Sequence, residues 1–82
     1  MKIIVDDLAT NYEVQGKGPT ILLLHGWQQD LGTFDQLGEL LENKFSVLRL
    51  DMPGFGDSEI PKTTWGVSDY AQFVRNFCDK LN

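Results

Sequence analysis

Two stretches decide the fold: Thr20–Trp27, TILLLHGW, and Val47–Ser58, VLRLDMPGFGDS. In the first, Ile21–Leu24 is apolar at every position, the pattern of a strand covered on both faces by helices. Ser46–Leu50 reads as a second strand of that kind, closed by Asp51. Between them, Thr33 is expected to open a helix with Phe34, Leu37, Leu40 and Leu41 on one face. Thr33 and Gln36 have the spacing of a capping box, in which the Thr oxygen takes a backbone N–H and the Gln reaches back. Gly38 should weaken this helix by about 1 kcal/mol relative to Ala. A strand–helix–strand unit of this size implies parallel strands joined by a right-handed crossover.

On the N-terminal side, Lys2–Val5 is a short apolar run ended by Asp6–Asp7. Ala9–Gln15 alternates, with Tyr12 and Val14 on one face and Asn11, Glu13 and Gln15 on the other. That period of two marks a half-buried strand. The two runs are expected to pair as an antiparallel hairpin, and Gly16-Lys17-Gly18-Pro19 to turn the chain. On the C-terminal side, Met52–Gly66 holds three Gly and two Pro and is read as loop. A second helix follows, with Ser68 as its expected cap, Asp69 in its first turn and Lys80 in its last, both suited to the helix dipole. Tyr70, Phe73, Val74, Phe77 and Leu81 form its apolar stripe. The order β-β-β-α-β-α makes an α/β chain: an antiparallel edge hairpin plus two parallel strands and two helices, in one unit over residues 1–82.

Composition narrows the function classes. Of 82 residues, 41% are hydrophobic and 23% charged, which is not a disordered composition. A chain of this length buries only about 60–65% of the surface it exposes when unfolded, so its stability depends on good closure. Seven Lys+Arg against twelve Asp+Glu give a net charge of −5 with no basic patch, which argues against nucleic acid and anionic lipid as partners. The longest apolar run, Ile21–Leu24, is far too short to span a bilayer, and no signal peptide is recognisable. One cysteine, Cys78, excludes an internal disulfide and a Cys-rich zinc site. The expectation is a cytoplasmic protein with no cofactor and no metal.

The residues that could carry chemistry cluster after the two strands. Gly26 allows a sharp turn and a close approach to a ligand, and a backbone N–H just beyond it can point at a developing oxyanion. His25 has no Cys or His neighbour at metal-ligand spacing. Gly54-Phe55-Gly56 after a strand invites a dinucleotide reading, but the sixth position of the fingerprint is Glu59 and no helix follows at once. Cys78, Phe73 and Phe77 are read as packing residues.

HGW and DMPGFGDS, separated by one amphipathic helix, resemble the opening half of an α/β-hydrolase, and the match runs from about Tyr12 to Leu81. Within that family the HGW form is similar to small carboxylesterases, and epoxide hydrolases, haloalkane dehalogenases and carbon–carbon bond hydrolases share similar openings, distinguished by a Ser or Asp nucleophile and by the lid. The resemblance implies that the residue after the glycine, here Trp27, donates its backbone N–H to the oxyanion hole. It implies a turn-shaping role for His25 and Gly26. It implies the same for Asp51, Pro53, Gly54, Gly56 and Ser58 of the D-x-P-G-x-G-x-S loop. The family's catalytic histidine lies near its C-terminus and its acid after a later strand, so His25 is not read as the base nor Asp51 as the acid. Ser58 is not on a strand–helix elbow and is not read as the nucleophile.

A nucleophile on G-x-S-x-G, then an acid, then a histidine are needed in that order, and none occurs before Asn82. The expectation is therefore an N-terminal half, inactive alone, that acts on a small ester when a second chain supplies the rest. The alternatives are a non-catalytic remnant that self-associates and a small nucleotide-binding module. The resemblance also places the missing nucleophile strand beside Ile21–Leu24, which leaves that strand with an open edge.

Overall fold

A computed structural model describes residues 1–81. Strands β1 (Lys2–Val5), β2 (Leu8–Gln15) and β3 (Thr20–Leu24) come first. A 3-10 turn (Leu31–Phe34) then leads into helix α1 (Asp35–Leu41), followed by strand β4 (Ser46–Leu50) and helix α2 (Val67–Leu81). The four strands form one sheet in the order β1-β2-β4-β3. The N-terminal hairpin is antiparallel, with Lys2 opposite Asn11 and Val5 opposite Leu8. β4 pairs antiparallel with β2 and parallel with β3, so the crossover pair read from the sequence lies side by side.

The period-two and period-3.6 patterns meet in one core. Val5, Leu8, Leu48 and Leu50 from the sheet pack on Phe73 and Phe77 of α2. Both phenylalanines are fully buried, and Tyr12 meets the Phe77 ring edge-on at 5.8 Å. Helix α2 starts at Val67, one residue before the expected cap. The Gly66 N–H donates to Asp69 Oδ2 at 2.8 Å, so Asp69 ties down the helix start and Ser68 lies inside the first turn.

The other face is held differently. Arg49, 4% exposed on β4, donates from Nη1 to the Leu31 carbonyl at 2.9 Å and to Asp35 Oδ1 at 2.6 Å. Its Nη2 donates to Glu13 Oε2 at 3.0 Å and Gln15 Oε1 at 2.9 Å. One guanidinium thus clamps the start of α1 onto β2 and β4. The polar face of β2 read from alternation is where it lands. Gly38 is buried against Gln15: a Cβ there would stand 3.0 Å from Gln15 Oε1. Its helix-weakening glycine is therefore the point of closest approach to the sheet.

Further expectations are corrected. Thr33 does not cap α1. Asp30 precedes it and its carboxylate accepts from the Gly32 N–H at 2.9 Å, which starts a 3-10 turn containing Thr33; α1 itself begins at Asp35. Nor is β3 covered on both faces. Ile21, Leu22 and Leu23 are half-buried and Leu24 is exposed, because β3 is the last strand of the sheet and the helices pack chiefly on β1 and β4. Leu37 and Leu40 of α1 also face outward, Leu40 at 79% exposure. Among the described residues no helix is long and apolar enough to cross a membrane.

The β1–β2 loop is a two-residue turn in which Asp6 and Asp7 have φ of 51° and 64°. Both signs are those of a type I′ turn, which favours Asp-Gly. An L-residue pays roughly 1–2 kcal/mol for that conformation. Asp7→Gly should therefore raise the thermal unfolding midpoint by about 4–8 °C, the shift expected for about 1 kcal/mol in a domain this small. A midpoint that is unchanged or lower would show that the turn is not strained.

Candidate functional site

Every loop at the C-terminal end of β3 and β4 is tied to the carboxylate of Asp51, which is 2% exposed. Its Oδ1 accepts the Leu31 N–H at 2.8 Å. Its Oδ2 accepts Asn11 Nδ2 at 2.9 Å and the Asp57 N–H at 2.8 Å. Burial pushes this carboxyl up. The hydrogen bonds from Asn11, Asp57 and Leu31 outweigh burial and hold it below its ordinary 3.8. The loop can wrap this closely only because Gly56 stands at φ 51° with no side chain: a Cβ there would run into the carboxylate itself. Ser58 closes the wrap. Its buried hydroxyl donates to the Asp51 carbonyl at 2.6 Å and accepts the Asn11 N–H at 2.9 Å.

Pro53 is fully buried, and its carbonyl accepts the Tyr70 hydroxyl at 3.1 Å; the Gly54 N–H donates to the Glu59 carbonyl at 3.0 Å. The glycine-rich segment therefore has an anion of its own. The Asp57 N–H that a phosphate would need is turned onto Asp51, and α2 begins only at Val67.

His25 joins the two motifs. It is buried, and its Nε2 accepts the Met52 N–H at 2.8 Å. That bond leaves the proton on Nδ1, which donates to the Gly26 carbonyl at 2.8 Å. Both ring nitrogens are thus engaged with backbone. Beyond it, the Gln29 N–H returns to the Gly26 carbonyl at 3.2 Å, and Gln29 Oε1 accepts the Gly26 N–H at 3.0 Å. Gln28, third in this four-residue turn, has φ 61°, the type II arrangement that ordinarily takes glycine. The left-handed residue is therefore Gln28, whereas Gly26 has no positive φ. The turn uses the N–H groups of Gly26 and Gln29 and does not consume that of Trp27.

The Trp27 side chain is 74% exposed and meets the Phe55 ring edge-on at 5.1 Å; His25 meets the same ring at 5.6 Å. Trp27, His25, Met52, Phe55, Trp65 and Tyr70 are among the residues that line a cavity of about 320 Å³ running to the start of α2. Of the residues singled out in the two motifs, His25, Gly26 and Trp27 line this cavity, whereas Asp51, Pro53, Gly54, Gly56 and Ser58 do not and shape the adjoining loop. Among the described residues no group of three or more His, Cys, Asp or Glu side chains could hold a metal ion.

A family model described as the alpha/beta hydrolase fold matches residues 19–82. The chain belongs to the α/β-hydrolase fold family. It is 38% identical over 69 residues to a fluoroacetate dehalogenase of Burkholderia sp, covering 84% of this chain and 22% of that protein. It is 37% identical over 62 residues to the pimeloyl-[acyl-carrier protein] methyl ester esterase of Pseudoalteromonas atlantica, covering 74% and 24%. Among solved α/β structures, a membrane phospholipase A superposes with a TM-score of 0.95 at 33% identity over 100% of this chain and 27% of that one. The enol-lactonase of Burkholderia xenovorans LB400 gives 0.93 at 27% identity over 99% and 33%. The chain thus spans about a quarter of the length of the hydrolases it matches.

Sequence reasoning missed Asn11, Gln28 and Trp65 as parts of the site. Asn11 sat on the polar face of its strand, but nothing local linked it to Asp51, 40 residues away. Trp65 lay in a stretch read only as loop.

Because the Asp51 carboxyl is held below its ordinary value in the fold, its ionised form stabilises the native state above pH about 3.8. That contribution is lost as pH falls through the lower folded value. Asp51→Asn should cost about 1.5–3 kcal/mol at neutral pH, since it removes a charged acceptor from buried donors. The difference from the unsubstituted chain should shrink in urea titrations below pH 3.8. A pH-independent difference would separate the carboxylate's charge from its role.

Proposed function

We propose that these residues form the oxyanion-turn half of an α/β-fold hydrolase acting on ester bonds. In this reading Trp27 contributes one backbone N–H to the site that holds the developing oxyanion. The observation that carries the reading is the turn after β3. It engages the N–H groups of Gly26 and Gln29 but not that of Trp27, is joined through His25 to the loop after β4, and sets Trp27 among the residues that line an apolar cavity. A donor fixed before the reaction needs no reorganisation when charge develops, which is the source of such a site's power. The similarity to a methyl ester esterase supports an ester as the substrate class. Ser58 and Asp51 are engaged in holding the loop, so the nucleophile, acid and base are assigned to sequence outside these 82 residues.

A second reading rests on β3. Its outer edge has no strand beside it among the described residues, and Leu24 is 41% exposed. Such an edge pairs readily with another chain. Self-association through it, without catalysis, predicts a homo-oligomer.

The test is complementation. Mixed with the remainder of the Pseudoalteromonas atlantica esterase, which brings a nucleophile strand, this chain should restore hydrolysis of a methyl ester; alone it should stay at solvent background. Position i+1 of a type II turn accepts proline, so Trp27→Pro removes the N–H while keeping the turn. In the complemented enzyme it should turn over about 10²–10³-fold more slowly than Trp27→Ala, which keeps the N–H. Equal rates for the two variants would refute the role given to Trp27. A stable homo-oligomer that excludes the complementing chain would favour the second reading.

A further inference from the structure

The turn after β3 has two closures, and only one of them is backbone. The backbone closure runs from the Gln29 N–H to the Gly26 carbonyl, and at 3.2 Å it lies at the long end of the normal range. Against it stands Gln28, whose φ of 61° is a conformation that L-residues resist. The turn is exposed from Gly26 to Asp30, so water competes for every polar group in it. A strained residue in such a place persists only when its surroundings over-determine it.

The second closure is a side chain. Gln29 folds back over three residues, and its Oε1 accepts the Gly26 N–H at 3.0 Å. With His25 Nδ1 on the Gly26 carbonyl, neither polar group of Gly26 is left free. The Trp27 N–H, next along the chain, is in none of these bonds. The glycine belongs to the same device. Gly26 has no positive φ, and what a side chain there would meet is Gln29, with Oε1 3.2 Å from the Cβ. Glycine at this position leaves the glutamine carbonyl room to reach the main chain.

We propose that Gln29 is a positioning residue of the oxyanion site: its side-chain carbonyl locks the turn and so fixes the direction of the Trp27 N–H. The proposal rests on the oxyanion reading for the reaction, but the lock itself can be measured without turnover.

Amide hydrogen exchange, read by NMR on this chain, measures the lock. Relative to their open-chain rates, Gly26 should exchange more slowly than Trp27. Gln29→Met, close in length but without the carbonyl, should speed Gly26 exchange roughly 2–10-fold, the worth of one ordinary hydrogen bond. Gln29→Glu keeps an acceptor at the same reach and should leave Gly26 protected. Because the position is exposed, neither variant should move the thermal unfolding midpoint appreciably. In the complemented enzyme, Gln29→Met should lower kcat about 10–10²-fold, the order of cost of a misplaced group. KM should hold, since the oxyanion forms only in the transition state. Gln29→Glu should restore most of the rate. In a Trp27→Pro background Gln29→Met should cost nothing further, because the N–H that it positions is gone.

A native chain in which Gly26 exchanges as freely as Trp27 would overturn the lock. So would a Gln29→Met penalty that is as large in the Trp27→Pro background as without it. A Gln29→Met enzyme at full rate, with Trp27→Pro still far slower than Trp27→Ala, would remove Gln29 from the mechanism and leave the oxyanion reading standing. Trp27→Pro no slower than Trp27→Ala would sink the oxyanion reading itself, and the positioning role with it, even where Gly26 stays protected.

Discussion

One buried carboxylate organises this end of the molecule. Asp51 gathers donors from β2, from the segment after the HGW turn and from its own loop, residues far apart in the chain. A charged acceptor can do this where a neutral one could not, because charge-assisted hydrogen bonds are about twice as strong as neutral ones. Its partners are mostly backbone N–H groups, so the site's shape depends on main-chain paths and little on neighbouring side-chain identity. That explains why the surrounding loop is built from proline and glycine. The chain must come close to the carboxylate from several sides, and any Cβ at Gly56 would displace it.

The two faces of the sheet follow different physics. Toward α2 the contact is a dry cluster of Val5, Leu8, Leu48, Leu50, Phe73 and Phe77. Toward α1 it is a guanidinium shared among Glu13, Gln15, Asp35 and the Leu31 carbonyl. The carboxylate partners are half in solvent, so each ion pair alone contributes modestly. The geometry is nevertheless specific, since Arg49 fixes where the 3-10 turn and α1 sit relative to β4. It thereby fixes where Leu31 offers its N–H to Asp51.

What could be read from sequence was what repeats locally. The alternation of β2, the unbroken run of β3 and the helical stripe of α2 each carried its element, and the two loop motifs carried the family. The readings that failed turned on competition or on distance. Asp30 forms its local bond before Thr33 can, so the capping box never closes. The clamp made by Arg49 has no local signal, because its partners lie 14 to 36 residues away. Gln28 carries a backbone angle that its side chain does nothing to announce. The apolar run of β3 spoke for coverage on both faces, and its place at the sheet edge left it only half covered.

The position of β4 between β2 and β3 has a consequence for synthesis. The hairpin of β1 and β2 can close as soon as residue 15 is free, because its contacts are local. β3 cannot pair until Ser46 and the residues after it have emerged, and β4 must then slot between two strands already made. For that interval the ribosome presents an apolar ribbon, Ile21–Leu24, without a neighbour. That interval ends when β4 arrives. The Asp51 junction, which joins β2 to the loops before α1 and after β4, closes only once residue 57 has emerged.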